Sequence, residues 1–392
     1  MVELPFSRTE YKSRLDAIRK EMARRNYDLL IVNDVANQHY ITGYDGWSFY
    51  TPQVVIVPLA DEEPLWIGRA MDAAGGLLTA WMAPTNIIGF PEDYVQRADR
   101  HPMDWIAEQI AKRGWGSATI GIELEAYYYS AKAHARLIAG LPNAKFQDAD
   151  LLVNWIRSVK SPSEIEYLRK ASRIAEAAVQ AAYDVIVPGV RECDAIAAIQ
   201  KAQVASQPGF AGDITALPPT ILGGENASAP HIMWSDRRFG ENETIALELA
   251  GACRHYTAGL ARTLQLGKMP EKVRTTSDAV IEGMSAVLDS IRPGVLAEDV
   301  EGAWRAVIAK YGLKKESRIG YSIGVAYPPD WGEHTISLRP GDKTILQPGN
   351  VVHSILGMWM DGWGIEVSET ILVTQTGCET LTNFPREIHV KE

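Results

Sequence analysis

The feature that most constrains the fold of this chain is an internal repeat in its second half. The tripeptide Pro-Gly-Val occurs at 188–190 and again at 293–295, each time between two segments of helical pattern. A strand-rich stretch follows each pair of helices, at 244–266 and at 350–373. Each half therefore predicts two helices and then a β-meander. Two such halves are expected to pack about a pseudo-two-fold axis, with the functional site where they meet.

The chain before this repeat has a different pattern, in which short apolar runs alternate with segments of helical periodicity. Such alternation predicts an α/β layer whose helices cover the faces of a sheet. The apolar runs are DLLIV (28–32), VVIVPL (54–59), PLWIG (64–68) and ATIGIEL (118–124), and the helical segments are 8–25, 102–113 and 130–139. A long Ala-rich helix is then predicted from about Ser163 to Val187, with Pro162 in its first turn. We therefore predict a mixed α/β (α+β) protein.

The composition favours an enzyme acting on a small molecule. Hydrophobic residues make up 46% of the chain, the formal net charge is −10, and no basic tract occurs, which disfavours nucleic acid and anionic membranes as partners. No apolar run is long enough to span a bilayer and the start lacks a signal-peptide pattern, so a cytoplasmic location is expected. The three cysteines form no CxxC pair, which argues against disulfides and a thiolate zinc site. No GxGxxG follows the first predicted strand, so no dinucleotide cofactor is expected.

Four residues are candidates for catalysis because of where they fall. His231 lies in a polar loop rich in Gly and Pro, where a packing role is less natural than on an apolar helix face. Glu248 lies inside the apolar strand IALELAG, an environment that suits a general base or nucleophile, although an outward-facing strand position is equally compatible with the pattern. Glu366 and Glu369 fall on the corresponding strand of the second half, three residues apart, so at most one faces the same pocket as Glu248.

Tryptophan is frequent in this chain, with 11 residues, and several of them fall in loops or turns. Aromatic rings next to carboxylates can form a cage for a delocalised cation. We expect such a cage from the set Trp47, Trp331, Trp359 and Trp363. Taken singly, each ring is more typical of a packed core or interface residue.

The order of these features resembles the creatinase and aminopeptidase P family, whose fold is often called pita-bread. The segment WIRSVKSPSEIEYLRKAS (155–172) is similar to the domain junction of that family, and LQPGNVV, ETILVTQTGCETLT and GLARTLQLG are similar to its C-terminal landmarks. The resemblance spans nearly the whole chain. It implies an N-terminal creatinase-like α/β domain over 1–157 and a pita-bread catalytic domain, with the internal pseudo-two-fold repeat, over 158–392.

Peptidases of this family hold two metal ions with Asp, Asp, His, Glu and Glu. By motif alignment, the corresponding positions here are occupied by Glu248, Gly259, Tyr321, Ile355 and Ser368 or Glu369. One or two carboxylates without the His are too few for such a centre, because hard cations need several oxygen ligands at close quarters. The resemblance therefore implies metal-independent hydrolysis of the kind creatinase performs, with no metal site and no cofactor.

Within the family, segments such as 42–50, 226–231 and 320–333 are most similar to the branch that hydrolyses the cyclic amidine ectoine to an N-acetyl-diaminobutyrate. The resemblance implies that Glu248 is the nucleophile or base and His231 the proton shuttle, with Glu366 and Glu369 as further members of the catalytic set. Substrate contacts are expected from Trp47, Tyr50, Tyr321, Trp331, His353, Trp359 and Trp363.

The resemblance also implies a homodimer with the active site near the subunit interface, because creatinase-like enzymes complete each site with an N-terminal loop of the neighbour. That loop is GYDGWSFY (43–50) here. Other functions stay open: hydrolysis of another amidine or guanidine solute, a metal-dependent lyase acting on a sulfonium solute, and an Xaa-Pro peptidase. A non-catalytic binding module is disfavoured by the net negative charge.

Overall fold

The computed structural model describes residues 4–60 and 62–392. The chain divides into two compact units, Met1–Arg157 and Ser158–Glu392. Among the described residues, no helix combines the length and hydrophobicity that crossing a membrane requires.

The first unit is an α/β layer, as the alternating pattern predicted. Its helices are α1 (Arg8–Arg25), α2 (Val35–Thr42), α3 (Ala73–Thr79), α4 (Pro102–Lys112), α5 (Ala131–Gly140) and α6 (Leu152–Arg157). Its strands are β1 (Leu29–Val32), β2 (Val54–Pro58), β3 (Leu65–Arg69), β4 (Ile87–Phe90), β5 (Thr119–Ile122) and β6 (Lys145–Asp148). Within the described part of the unit these strands form one mixed sheet in the order β4-β3-β2-β1-β5-β6. The sequence pattern missed β6, because this edge strand has the polar sequence KFQD and its residues are mostly exposed.

The second unit contains the repeat. Its helices are α7 (Pro162–Val185), α8 (Glu192–Val204), α9 (Glu271–Ser290) and α10 (Ala297–Lys310). Its strands are β7 (Ser206–Gln207), β8 (Phe210–Ala211), β9 (Thr220–Gly223), β10 (Thr244–Cys253), β11 (Tyr256–Leu266), β12 (Gly320–Tyr327), β13 (Asp330–Ser337), β14 (Val351–Met360), β15 (Trp363–Val373), β16 (Cys378–Thr380) and β17 (His389–Lys391). The main sheet has the order β16-β15-β14-β12-β11-β10-β9, while β13 pairs with β12 and β17 with β11.

Helix α7 begins where the sequence predicts, and the reason is a capping box. The Ser161 hydroxyl accepts a hydrogen bond from the Glu164 backbone N–H at 3.2 Å, and the Glu164 carboxylate accepts one from the Ser161 backbone N–H at 2.9 Å. Pro162 occupies the first turn, where its missing N–H costs no helical hydrogen bond. The helix packs on β10 and β11, the hairpin of the first half of the repeat.

The two halves of the second unit use the same turn. Gly189 and Gly294 both have a φ of 88°, a conformation that a side chain would strain. The N–H of Gly189 donates to the carbonyl of Phe239 at 2.8 Å, and the N–H of Gly294 donates to the carbonyl of Leu346 at 2.9 Å. Each Pro-Gly-Val turn is thereby attached to the segment that leads into its own β-hairpin, β10–β11 or β14–β15. The predicted order of elements, and the mixed α/β fold class, are confirmed.

Each half has its own hydrophobic core under its helix pair. Leu247 and Leu249 of β10 lie in the core of the first half, with residues of α7 and α8. In the second half, Trp304 of α10 and Val367 of β15 belong to the corresponding core. Because side chains alternate along a strand, the helices occupy one face of the sheet and leave the other for a site.

Candidate active site

A cavity of about 520 Å³ opens on the sheet of the second unit. Strands of both halves line it, since β10 contributes Glu248 and β15 contributes Glu366. The side chains on either side of Glu248 in the sequence, Leu247 and Leu249, are in the helix-covered core. Alternation therefore places Glu248 on the opposite, cavity-facing side of the sheet, and excludes the outward-facing surface position that the sequence pattern left open.

The two carboxylates of the cavity are hard to ionise together. Burial raises the pKa of Glu248 to about 7, and the negative charge of Asp330 acts in the same direction. Burial, and then the charge of Glu248, raise the pKa of Glu366 well above its ordinary value, while Lys315 opposes that change. Among the described residues, neither carboxylate oxygen of Glu366 has a hydrogen-bond partner. The protein therefore compensates the negative charge of these two carboxylates only weakly, so a cation that enters the cavity would stabilise their ionised forms.

Asp330 and Arg318 complete the charged lining of the cavity. Burial alone would raise the pKa of Asp330, but hydrogen bonds from His334 at 2.9 Å and from the Gly332 backbone N–H at 3.0 Å hold it below its ordinary value. Arg318 is exposed, and its guanidinium carbon lies 4.3 Å from the centroid of the Tyr321 ring. The cavity lining thus combines one buried carboxylate, two half-buried ones and an exposed guanidinium.

Tyr321 lines the cavity, while Trp331 and His353 form a buried layer of aromatic rings around it. The indole N–H of Trp331 donates to the Tyr321 hydroxyl at 2.6 Å, and both rings meet the His353 ring edge-on. Burial lowers the pKa of His353 to about 3, so its ring is neutral, and its Nε2 lies 2.7 Å from the Ser368 hydroxyl. Of these three predicted substrate contacts, only Tyr321 is part of the cavity lining.

The tryptophans that the sequence singled out are separated by the structure. Trp359 lines the cavity, and its ring is already occupied by a cation, because the Lys315 ammonium lies 4.0 Å from the ring centroid. Trp363 is not part of the cavity lining: it packs against the second core and has Lys272 5.0 Å from its ring. In contrast to the expectation of a substrate contact, the structure places Trp363 against the core and outside the cavity lining.

Glu369 also lies away from the cavity. Its carboxylate accepts hydrogen bonds from Arg262 at 2.8 Å and from Arg386 at 2.9 Å, in a buried ion pair. The three-residue spacing from Glu366 turns the two side chains to opposite faces of β15, as predicted. Glu366 lines the cavity, whereas Glu369, which was expected in the catalytic set, does not and instead pairs with Arg262.

His231 is exposed and lines the cavity from a loop between β9 and β10. The adjoining Ile232 and Met233 line it as well. Trp47 and Tyr50 belong to the first unit, where they are 51% and 65% exposed. Trp47 lies 4.8 Å from Phe49, ring centroid to ring centroid, so the loop presents aromatic surface to solvent.

The donor set does not fit the two-metal centre of the peptidases. A Cβ atom added at Gly259 would lie 2.7 Å from the His353 ring, so a ligand side chain has no room there. The Tyr321 hydroxyl accepts from Trp331, and Ile355 has no donor atom. In the part of the chain that the structure describes, no group of three or more His, Cys, Asp or Glu side chains is placed to hold a metal ion.

Comparisons with known proteins agree with this architecture. The model of metallopeptidase family M24 matches residues 166–375, and that of the creatinase/prolidase N-terminal domain matches residues 14–159. The chain therefore belongs to the M24 family, with a creatinase-type N-terminal domain. It is a hydrolase that acts on C–N bonds.

Several relatives match along nearly the whole chain. The ectoine hydrolase of Halomonas elongata is 45% identical, over 100% of this chain and 99% of its own length. An uncharacterized hydrolase/peptidase of Sinorhizobium fredii is 42% identical, over 99% of each chain. Among solved structures, the prolidase from Pyrococcus horikoshii superposes with a TM-score of 0.80 at 21% identity, covering 96% of this chain and 99% of that one. At this low identity the structural likeness shows the fold alone.

The sequence reasoning missed three charged residues in or beside the site: Lys315, Arg318 and Asp330. Two of them are close to residues that had been singled out: Arg318 lies just before the segment 320–333, and Asp330 lies within it, directly before Trp331. A search for charged residues at the ends of the strands that carry the predicted site would have found Arg318 and Asp330. Lys315 gave no such signal, because it adjoins Lys314 in a stretch that is typical of a solvated surface.

Proposed function

We propose that this hydrolase opens a cyclic amidine solute, with ectoine as the first candidate, to an N-acyl diamino acid. The observation that carries the proposal is a pair of carboxylates facing one cavity, the half-buried Glu248 and the buried Glu366. An amidinium spreads one positive charge over two nitrogens and offers an N–H on each, so it can satisfy both carboxylates at once. The 45% identity to an ectoine hydrolase supports the same substrate class.

Arg318 gives the pocket a second recognition element. A guanidinium binds a carboxylate through paired N–H donors. The Tyr321 ring, 4.3 Å from the guanidinium carbon, supports the side chain from one side. The arrangement suits a small zwitterion whose amidinium enters the cavity and whose carboxylate pairs with Arg318. Creatine has the same combination of charges and is the linear alternative.

Glu248 carries the chemistry in this proposal, as nucleophile or as base. The amidinium carbon is a poor electrophile because its charge is shared, so attack needs a positioned oxygen. In the nucleophilic form, a Glu248 oxygen bonds to that carbon and the ring C–N bond then breaks, with its electron pair going to the departing nitrogen. Water hydrolyses the resulting adduct, restoring the carboxylate and releasing the amide. In the base form, Glu248 removes a proton from the attacking water.

His231 is the proposed proton shuttle. The departing ring nitrogen must gain a proton as its bond to carbon breaks, and a histidine in the lining of the cavity can supply it. The position of His231 on an exposed loop lets it exchange protons with solvent between turnovers.

We further propose that no metal takes part. The support is the donor set, in which Gly259 leaves no room for a ligand side chain and Ile355 has no donor. The tightly packed Tyr321, Trp331 and His353 rings surround the place where peptidases need a histidine ligand. Activity should therefore survive chelation.

A homodimer is proposed from the exposed loop of the first unit. Trp47 and Tyr50 are large apolar side chains left open to solvent, which is costly without a partner. The loop itself is held rigidly, since the hydroxyls of Tyr44 and Ser48 are 2.8 Å apart and Ser48 donates to the Gln53 side chain at 2.8 Å. Light scattering measures the molar mass of the parent and of Trp47→Ser, and we expect a dimeric parent and a weakened dimer in the variant. A parent protein that is monomeric and fully active contradicts the proposal.

A cytoplasmic setting is proposed from the cysteines. Cys193, Cys253 and Cys378 are free thiols, which is typical of a reducing compartment. Fractionation of the native cells, with immunodetection of the chain, tests the location.

The decisive experiment offers ectoine, hydroxyectoine, creatine and an Xaa-Pro dipeptide to the purified protein, with and without a chelator, and follows products by NMR. Ring-opened product from ectoine that is unaffected by chelation is the expected result. Cleavage of the dipeptide alone, dependent on added divalent metal, would refute both the substrate class and the metal-free mechanism.

A further inference from the structure

Ile355 is a buried residue of β14 that lines the cavity. The neighbouring Leu356 and Met358 lie in the core of the second half. Because side chains alternate along a strand, Ile355, Gly357 and Trp359 share the opposite face of β14, the one that faces the cavity. An isoleucine without any polar atom therefore forms part of the lining of a cavity that also contains carboxylates.

Strand pairing places Ile355 near the carboxylates Glu248 and Glu366. It is paired with Ser368 of β15, which lies two residues from Glu366 on the same face of that strand. The Ser368 hydroxyl accepts a hydrogen bond from the backbone N–H of Ala261 at 2.6 Å, and Ala261 is paired with Glu248 across the β10–β11 hairpin. Ile355 is thus connected to Glu366 through one strand pair and to Glu248 through the neighbouring hairpin.

The polar groups next to Ile355 are already engaged or cannot accept a hydrogen bond. Besides its backbone contact, the Ser368 hydroxyl lies 2.7 Å from the Nε2 atom of His353. The Trp359 ring covers Gly357, since a Cβ atom at the glycine would lie 2.3 Å from that ring. The polar atom of the indole is an N–H, which donates and does not accept. The side chains of Ile355 and Trp359, the apolar strip of β14, therefore offer no acceptor to an N–H of a ligand.

The shape of an amidinium determines what meets this strip. Its carbon carries three groups in one plane, two nitrogens and one further substituent. In the proposed function the two nitrogens direct their N–H groups to Glu248 and Glu366, so the third group points away from both nitrogens. An alkyl group there gains from contact with an apolar wall. The amino group of a guanidinium would instead bring two N–H donors without an acceptor.

We propose that Ile355 is a specificity-determining residue, which contacts an alkyl group on the amidine carbon of the substrate and thereby selects amidines over guanidines. This inference rests on the proposed function and narrows its substrate class. In ectoine the alkyl group is the methyl group that becomes part of the acetyl group of the product. Creatine-like guanidines, which have a nitrogen at this place, are disfavoured.

The first test compares ectoine with the cyclic guanidine in which an amino group replaces the methyl group. The guanidine is used as a competitive inhibitor of ectoine opening, so its own reactivity does not enter the comparison. In the parent, Ki for the guanidine should exceed KM for ectoine by roughly 10²-fold, the discrimination that an apolar pocket reaches against a polar isostere.

Two variants of matched shape show whether Ile355 sets this ratio. Ile355→Thr introduces a hydroxyl that can accept an N–H, and it should reduce the ratio of Ki to KM about tenfold or more. Ile355→Val is the control, because valine has a methyl group where threonine has its hydroxyl, and it should keep the parent ratio. If Ile355→Thr does not fold, Ile355→Gln replaces it, with Ile355→Met as the control of similar length.

A second test needs no turnover. Acetamidinium and guanidinium are planar cations of equal charge that differ by a methyl group in place of an amino group. The NMR line width of the acetamidinium methyl group measures its binding, guanidinium is added as the competitor, and Glu366→Gln shows which part of the binding occurs in the cavity. We expect the parent and Ile355→Val to prefer acetamidinium about tenfold or more, and Ile355→Thr to lose most of that preference.

The two tests separate this inference from the proposed function. If the parent opens ectoine, the kinetic ratio decides: equal ratios in Ile355→Thr and Ile355→Val refute the role of Ile355. If the parent opens no amidine ring, the proposed function fails and the binding measurement decides. A preference for acetamidinium that Ile355→Thr reduces then leaves the role of Ile355 standing. Equal binding of the two cations, or no binding in the cavity, overturns it.

Discussion

Replacement of Glu248 by glutamine should change activity and stability in opposite directions. Glutamine keeps the size and shape of the side chain but can neither ionise nor attack. Turnover should fall by about 10²–10⁴, the contribution of a positioned acid–base group, or further if Glu248 is the nucleophile. The stability of the variant, by contrast, should exceed that of the parent in neutral and alkaline solution.

The size of the stability gain follows from the pKa of Glu248. A value of about 7 instead of 4.5 means that ionising Glu248 in the folded, empty cavity costs roughly 3 kcal/mol more than in the unfolded chain. Because the folded pKa is the higher one, the parent loses this free energy of unfolding as pH rises from about 4.5 to 7. Glutamine has no proton to lose, so the advantage of the variant should grow across that window and stay constant above it.

Urea unfolding of both proteins between pH 4 and pH 8 measures this difference. Glu225→Gln is the control, since Glu225 is an exposed carboxylate on the turn that leads to the His231 loop, and its variant should follow the parent curve. Mass spectrometry of a quenched reaction of the parent seeks an adduct on Glu248. Parallel stability curves for parent and Glu248→Gln, together with turnover within a few-fold of the parent, would refute the assignment and move attention to Glu366.

Three further substitutions test the neighbouring assignments. His231→Ala should lower kcat about 10²–10⁴-fold and change KM by no more than a few-fold, because the histidine moves a proton and does not hold the substrate. Steady-state kinetics measures both constants. An unchanged kcat contradicts the role of His231 as proton shuttle. Gly259→Ala should lower the free energy of unfolding by about 1–3 kcal/mol, since its new methyl group meets the His353 ring at 2.7 Å. Urea unfolding measures this loss. In the double variant Gly259→Ala/His353→Ala, the total loss should be smaller than the sum of the losses in the two single variants. Glu369→Gln should lower the free energy of unfolding by about 3 kcal/mol or more, because Arg262 keeps its buried charge without its carboxylate partner. The kcat of the folded protein should stay within a few-fold of the parent value, and a hundredfold loss of kcat would restore Glu369 to the site.

Local patterns in the sequence determined the elements and their order. The capping box at Ser161 starts α7, and the two Pro-Gly-Val turns end one helix and begin the next in each half, because these effects depend on residues a few positions apart. Period-two alternation likewise showed that Glu366 and Glu369 face opposite sides of one strand. The resemblance to a known family added the fold and the roles expected of Glu248 and His231.

Only the tertiary structure decided which of these residues share the cavity. Alternation cannot say which face of β15 a helix pair will cover, so the choice of Glu366 over Glu369 required the packing of the second core. The contacts of Lys315 with Gly357 and Trp359 join residues more than 40 positions apart in the sequence, and no local periodicity encodes them. The pKa values of Glu248 and Glu366 are likewise set by burial and by charges on other strands, which exist only once the sheet has formed.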